Sequence, residues 1–231
     1  MSVPKCIFIF VGPPGSGKGT LARLCSEQLH IPVLSVGDSL RWHINEKSDI
    51  GKKIDFVVKS GKLVSDEIVF EVVVDWFSSH VLKDACIIDG YPRTLNQAIH
   101  LQQFIETYYR GQAVKVVVIH LCLSDQGVFS RISYRVVCSR KECGAVYSTK
   151  DSYVDMCKKC GAKLTRRKDD ENSEVIKQRL LIYRENEQKI LEFYQKSGIE
   201  ILKTDAEQSV QKVFDTFTDR ALHGGDCLDN H

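Results

Sequence analysis

A glycine-rich loop constrains the fold of this chain more than any other feature. The loop, residues 12–20, reads GPPGSGKGT and lies between an apolar run at 6–11 and a helical pattern at 19–29. Glycines let successive backbone N–H groups face one anion, and the dipole of the following helix adds positive potential. A glycine-rich turn without a ligand would not need Lys18 and then the Thr20 hydroxyl at the helix start. Strand, loop and helix in this order predict a phosphate-binding loop.

The rest of the chain alternates short β-branched runs with helical patterns. Continuous apolar runs of this kind are typical of strands buried on both faces of a parallel sheet. The candidate strands are residues 6–11, 32–35, 85–88, 114–121 and 199–202. Because helical patterns separate them, as at 174–196, the sequence predicts an α/β, doubly wound, three-layer fold around a central parallel β-sheet.

Two segments break this alternation, and we expect both to be insertions at the carboxyl edge of the sheet. One is helical in pattern, and the other is rich in cysteine, glycine, serine and lysine. The predicted organisation is a core of residues 1–35, 65–135 and 170–222, a helical insertion at 36–64, a lid at 136–169 and a flexible tail at 223–231.

Composition excludes several classes of protein. Hydrophobic residues make up 43% of the 231 residues, which is ordinary for a globular chain and argues against a disordered one. The 32 Lys and Arg residues nearly balance 30 Asp and Glu residues, and no basic block stands out, so nucleic acid is disfavoured as a partner. No apolar run reaches the roughly 20 residues of a spanning helix, and no export signal is visible. We therefore expect a cytoplasmic protein without a membrane partner.

Four of the nine cysteines form a pattern typical of metal ligands. Cys138 and Cys143 are separated by four residues, Cys157 and Cys160 by two, and a glycine follows the second cysteine of each pair. The surrounding segment is too poor in apolar residues to form a core, so a structural Zn²⁺ would substitute for one. Two disulfides or four free surface thiols are the alternatives.

Together with the glycine loop, five further motifs resemble those of adenylate kinases. They are Gly37-Asp38 with Arg41, Gly61-Lys62-Leu63-Val64, Asp89-Gly90-Tyr91-Pro92-Arg93, Gln97, and Arg167-Lys168-Asp169-Asp170. The matches run in order from the first strand to the last long helix, and the lid resembles the long, zinc-bearing form. The resemblance implies a P-loop fold, a monomer, and reversible phosphoryl transfer from ATP, carried with Mg²⁺, to AMP.

The same resemblance assigns three sets of site residues. Those assigned to catalysis are Lys18, Asp89, Arg93, Arg135, Arg167 and Arg179. Those assigned to ATP are Gly15, Ser16, Gly17, Lys18, Gly19, Thr20, Arg131, Arg135 and Tyr147. Those assigned to AMP are Ser35, Val36, Arg41, Lys62, Leu63, Val64, Gly90, Arg93, Gln97, Arg167 and Arg179.

Phosphoryl transfer explains why arginines dominate these sets. The reaction needs two nucleotides aligned and the charge on the moving group neutralised, and planar guanidinium groups pair with phosphate oxygens in a bidentate way. By resemblance, Arg131 stacks on the adenine of ATP and Asp89 orients waters on Mg²⁺. The alternatives are ordinary surface arginines and, for Asp89, a helix cap.

Val36 departs from the resemblance, because adenylate kinases of this type usually place a threonine there to contact the adenine of AMP. Valine keeps the shape of threonine but lacks the hydroxyl, so we expect a severalfold weaker interaction with AMP. In the competing interpretation, Ser35 takes over the contact.

Two other functions remain open at this point. One is a kinase for another monophosphate, such as UMP, CMP or GMP, although Gln97 favours adenine by resemblance. The other is a nucleotide-dependent switch or zinc-ribbon binding module that hydrolyses ATP slowly. Turnover that requires an added monophosphate would distinguish the two classes.

Overall fold

The computed structural model describes residues 5–80, 84–140, 143–150 and 154–223. The predicted tail from residue 224 onwards therefore lies outside the described residues. The strands are β1 (Lys5–Val11), β2 (Val33–Ser35), β3 (Ala85–Asp89), β4 (Val114–Cys122), β5 (Arg135–Cys138), β6 (Val146–Ser148), β7 (Leu164–Thr165) and β8 (Glu200–Asp205). The α-helices are α1 (Lys18–Leu29), α2 (Val36–Asn45), α3 (Asp49–Lys59), α4 (Asp66–Ser79), α5 (Leu95–Tyr108), α6 (Asp125–Ser133), α7 (Ser173–Lys196) and α8 (Val210–Phe217).

The predicted α/β fold is confirmed. Five parallel strands form the central sheet in the order β2-β3-β1-β4-β8. Each corresponds to one of the candidate strands of the sequence. The largest difference from the predicted bounds is β8, which was predicted at 199–202 and continues to Asp205. As an edge strand it is not buried on both faces: Leu202 and Thr204 are buried and Lys203 is exposed, so it does not form a continuous apolar run.

The core has two halves, one on each face of the sheet. Successive side chains of a strand point to opposite faces. Phe8 therefore packs with α1 and α8, and its ring lies 5.2 Å from that of Phe217 in an edge-to-face arrangement. Ile9, on the other face, packs with residues of α4, α5 and α7 such as Phe77 and Tyr194. Helices on both faces give the three layers and leave the strand ends at one edge for the loops.

The two segments predicted to be insertions have different structures. Residues 36–59 contain α2 and α3, as the helical pattern predicts. The cysteine-rich segment contains a small antiparallel sheet of order β6-β5-β7, which the sequence did not predict. These strands have two to four residues each, too few for a recognisable alternation.

In the described part of the chain, no helix combines the length and apolar character that a membrane span requires.

Candidate functional site

The glycine loop connects β1 to α1 at the carboxyl edge of the central sheet. Gly15 and Gly17 have φ angles of 80° and 92°, in the left-handed region that favours glycine. A Cβ atom on Gly12 would lie 2.8 Å from the backbone oxygen of Leu121, so close packing on β4 also favours glycine there. Helix α1 begins after Gly17 with no side-chain cap, as expected where an anion takes the place of the cap.

Lys18 folds back over this loop. Its Nζ donates to the backbone oxygens of Gly12 at 2.6 Å and Pro13 at 2.9 Å, and to Ser16 Oγ at 3.2 Å. Burial lowers the pKa of Lys18 to about 8; Asp89 opposes this effect, and nearby arginines, Arg93 first among them, add to it. A phosphate group in the loop would raise this pKa again, because a negative charge favours the ammonium form.

A central cavity extends from the glycine loop across the carboxyl edge of the sheet. Gly15, Gly17, Gly19, Thr20, Ser35 and Gly90 contribute to its wall. Its charged lining includes Lys18, Arg41, Asp89, Arg93, Arg135, Arg167 and Arg179. Every residue that the sequence assigned to catalysis therefore lies at one cavity, although these residues come from separate segments of the chain.

Acidic residues hold part of this cationic lining in place. Arg135 donates to both oxygens of Asp170, from Nε at 2.7 Å and from Nη2 at 2.6 Å. Arg179 Nη1 donates to Asp170 Oδ1 at 2.9 Å and lies 3.0 Å from Asp169 Oδ2. Burial would raise the pKa of Asp169, but Arg179 and the other arginines hold it below its usual value. The two adjacent carboxylates thus orient arginines from the lid side and from α7.

Positive charge still exceeds negative charge at the cavity. Desolvation within the cavity and repulsion from Arg179 and Arg41 lower the pKa of Arg93 to about 10, although its side chain is open to solvent. Burial and repulsion from Arg41 and Arg135 do the same for Arg167, again to about 10. Cations that crowd and repel one another in a cavity are stabilised by a polyanion, and guanidinium groups suit phosphate oxygens.

Asp89 is the acidic group at the end of β3. Burial raises the pKa of Asp89, although Lys18 opposes this effect. A Cβ atom on Gly19 would lie 3.2 Å from Asp89 Oδ2, so a larger residue at this position would crowd the carboxylate. The glycine after the lysine is therefore explained by the carboxylate beside it. Because burial disfavours the ionised form of Asp89, a cation bound beside it would stabilise that form.

A side pocket adjoins the central cavity and shares Arg41, Arg93 and Arg179 with it. Besides the charged Lys62 and Asp169, its remaining lining is apolar or neutral and includes Val36, Leu40, Leu63, Val64, Val69, Gly90 and Gln97. A pocket that is charged at one end and apolar at the other suits a ligand with a phosphate and a flat apolar group.

Ser35 and Val36 lie where β2 meets α2. Val36 is 1% exposed and packs in the core beside the side pocket. The hydroxyl of Ser35 donates to Asp38 Oδ2 at 2.9 Å, and Asp38 in turn accepts from Arg41 at 2.5 Å. Ser35 would have to give up its bond to Asp38 in order to donate to a ligand.

In the described ranges, three residues predicted for ATP line neither pocket. Ser16 stays in the glycine loop, with its Oγ 3.2 Å from Lys18 Nζ, whereas Arg131 and Tyr147 lie apart from the other predicted residues. Arg131 Nη2 donates to the backbone oxygen of Ala206 at 2.5 Å, and the Tyr147 hydroxyl lies 3.3 Å from Cys157 Sγ. Conversely, Arg23 lines the central cavity and was missed. No local signal marks it, because Gly19, four residues earlier on α1, has no side chain that could point to a shared site.

The four cysteines of the pattern converge in the lid. Their Sγ atoms lie within 4.8 Å of one another, with Cys138 and Cys160 separated by 3.4 Å and Cys143 and Cys157 by 3.6 Å. All four are free thiols rather than disulfides. Four sulfurs bound tetrahedrally to zinc at about 2.3 Å would lie about 3.8 Å apart. The cluster is therefore compatible with a zinc site.

Comparisons with known proteins agree with this geometry. The family model for adenylate kinase matches residues 10–199. The adenylate kinase of Thermosipho africanus is 39% identical over 193 residues, covering 82% of this chain and 87% of the relative. That of Caldanaerobacter subterraneus is 35% identical over 226 residues, covering 96% and 99%. That of Archaeoglobus fulgidus is 34% identical over 210 residues, covering 89% and 93%.

Proposed function

The chain belongs to the adenylate kinase family, and from this premise we propose how its residues transfer a phosphoryl group from ATP to AMP. It is a nucleoside monophosphate kinase, and the relatives do not favour the alternatives of another monophosphate substrate or a zinc-ribbon switch. The observation that carries the residue assignment is the meeting of Lys18, Asp89 and the arginines at one cavity.

The glycine loop and Lys18 would hold the phosphates of ATP. Lys18 has loop oxygens as partners, and the oxygens of a phosphate bound in the loop would replace them. Arg131, held by the Ala206 carbonyl, and Tyr147 stay predictions as contacts for ATP. The Asp89 carboxylate and the Thr20 hydroxyl line the cavity as hard oxygen donors and fit the Mg²⁺ that adenylate kinases use with ATP. Bound there with ATP, Mg²⁺ would neutralise phosphate charge.

The side pocket would hold AMP, with its base near Val36 and Gln97 and its phosphate between Arg41 and Arg93. Arg93 lines both pockets and would meet the group in transfer. Arg135, Arg167 and Arg179 would clamp that group from the lid and α7. Such donors act mainly on the transition state, because charge spreads over the moving group only there.

We expect Arg93→Ala and Lys18→Met each to reduce turnover about a hundredfold or more, since each removes a preorganised positive charge. A coupled assay of ADP formation across AMP, GMP, CMP and UMP measures this loss and the choice of monophosphate. Arg110→Ala, at an exposed arginine after α5, is the matched control and should retain activity. Near wild-type turnover by folded Arg93→Ala would show that the site assignment is wrong.

We also propose one structural zinc ion per chain, held by Cys138, Cys143, Cys157 and Cys160. Because the lid has only a small apolar cluster of its own, metal binding would supply part of its folding free energy. Chelation should lower the melting temperature, and added Mg²⁺ should not restore it. Cys157→Ser should lose the zinc, whereas Cys122→Ala, outside the cluster, should keep it. Protein purified without chelator that contains no zinc and four freely titrating thiols would contradict this proposal.

The monomeric state stays a prediction from the resemblance. The cytoplasmic location stays a prediction from the sequence.

A further inference from the structure

The side-chain amide of Gln97 is held at both ends by groups of opposite hydrogen-bonding character. Its Oε1 accepts from the backbone N–H of Arg93 at 2.7 Å, and its Nε2 donates to Asp66 Oδ1 at 2.7 Å. A backbone N–H can only donate, and an ionised carboxylate can only accept. Rotating the amide by half a turn would set donor against donor and acceptor against acceptor. The hydrogen-bonding partners of Gln97 therefore fix which end of the amide is oxygen.

Asp66 is itself fixed in place. It is the first residue of α4, and its Oδ2 accepts from the Thr94 hydroxyl at 3.3 Å. Thr94 caps α5 and uses the same oxygen to accept from the backbone N–H of Gln97 at 3.1 Å. The Thr94 proton is thereby left for Asp66. These bonds connect the starts of α4 and α5 through residues that are about 30 positions apart in the chain.

Gln97 is 2% exposed, and it lines the side pocket in which Val36 and Val64 also lie. After its bonds to Asp66 and Arg93, the amide retains one hydrogen on Nε2 and one lone pair on Oε1. In the fixed orientation it can accept from an amino group and donate to a ring nitrogen. This matches a 6-aminopurine, which offers a 6-amino donor beside an N1 acceptor. A 6-oxopurine offers the reverse pattern, an oxygen acceptor beside an N1–H donor.

We propose that Asp66 is a positioning residue that makes the side pocket select a 6-aminopurine over a 6-oxopurine, by preventing rotation of the Gln97 amide. The proposal rests on the proposed function, in which Gln97 meets the base of the monophosphate. A 6-oxopurine must either face a mismatched amide or turn it, which breaks the bonds to both Asp66 and Arg93. Sites that hydrogen-bond a substrate discriminate strongly when their buried groups would be left unpaired.

Asp66→Asn tests this proposal with little change in shape. An asparagine amide can rotate to donate to a reversed Gln97, so only the Arg93 N–H would still oppose rotation. The adjacent Glu67→Gln is the matched control, because Glu67 also lies in the first turn of α4 and the substitution removes the same charge. AMP and IMP are the probes, since they differ at the 6-position and N1 and share the rest of the nucleotide.

The measurement is kcat/KM for AMP and for IMP at saturating ATP. The wild type should prefer AMP, and Asp66→Asn should lower the AMP-to-IMP ratio about tenfold or more, as expected for loss of one hydrogen bond to a charged group. Glu67→Gln should leave the ratio within about twofold of wild type, by the same relation. The KM for ATP should not change in either variant.

A ratio unchanged in folded Asp66→Asn, or an equal loss with both nucleotides, would overturn the proposal. If Asp66→Asn does not fold, Asp66→Ala gives the same test, because it also removes one of the two groups that oppose rotation. A wild type that does not phosphorylate AMP would instead refute the proposed function. The two failures are therefore distinguishable.

Discussion

Two clusters of partly or wholly buried charge, one at the central cavity and one beside β4, are balanced in opposite ways. At the central cavity, the pKa of Lys18, Arg93 and Arg167 is lowered, because burial and mutual repulsion disfavour their charged forms. Beside β4, Glu187 of α7 has a partner for each oxygen: His120 and Tyr183 at Oε1, both at 2.8 Å, and Arg184 at Oε2, at 2.7 Å.

The comparison distinguishes the charge at the central cavity, which we propose serves a ligand, from the charge around Glu187, which serves stability. Burial would raise the pKa of Glu187, but its bonds to His120, Arg184 and Tyr183 lower it to about 2. Its ionised form is thus stabilised by the fold. Arg184 extends this cluster to the backbone oxygen of Leu123 at 2.8 Å and so attaches α7 to the end of β4. Lys18, Arg93 and Arg167 of the cavity instead keep pKa values below their ordinary range, and we propose that bound phosphate balances their charge.

Removing the charge of Glu187 should lower the stability of the fold and leave turnover nearly unchanged. Glu187→Gln places an amide against donors, and we expect a loss of about 1.5–3 kcal/mol in the free energy of unfolding at pH 7. Glu185→Gln, at an exposed residue of the same helix, should cost little. Denaturant unfolding of both variants checks the difference, and turnover of folded Glu187→Gln should stay near the wild-type value. A large loss of turnover in folded Glu187→Gln would show that this cluster also serves the reaction, and the contrast with the central cavity would fail.

The effect of Glu187→Gln should also depend on pH in a defined direction. The pKa of Glu187 is lower in the folded protein, about 2 against an ordinary 4.5, so its contribution is complete above the ordinary value and is lost as pH falls towards 2. Wild type and variant should therefore converge in unfolding free energy below about pH 4.5. A difference that stays constant from pH 7 to pH 3 would show that Glu187 acts by packing alone.

The neutral part of the site should respond least. Val36 carries no charge, so Val36→Thr adds only about one hydrogen bond and should lower the KM for AMP about 2- to 12-fold, with little change for ATP. If Ser35 makes the contact instead, Val36→Thr changes nothing and Ser35→Ala weakens AMP. A wild type that phosphorylates UMP or GMP better than AMP would contradict both interpretations.

Local sequence was enough to predict the central sheet and the glycine loop. Continuous apolar runs indicate strands buried on both faces, and a strand, a glycine loop and a helix in this order indicate a phosphate-binding loop. Local sequence was not enough for the bonds that hold the side pocket and the cluster around Glu187 together. Asp66 meets Gln97, and His120 meets Glu187, only after distant helices pack, and no local pattern marks either pair. The resemblance named Gln97 but gave no partner for its amide.

The strands of the lid were missed for a different reason. Segments of two to four residues carry too few side chains to show an alternation, whereas the spacing of the four cysteines indicated their convergence directly. Arg23 was missed because a single arginine on an exposed helical pattern is not distinguished from a solvated one.

The most direct test of the central claim is the melting temperature of Arg93→Ala against wild type, with and without a non-hydrolysable ATP analogue plus AMP. If the cavity holds excess positive charge for phosphate, the variant without nucleotide should melt at or above the wild-type temperature, because repulsion from Arg41 and Arg179 is relieved. Nucleotides should then raise the melting temperature of the wild type more than that of the variant. A variant that is less stable without nucleotide, yet gains as much from nucleotides as the wild type, would contradict the claim.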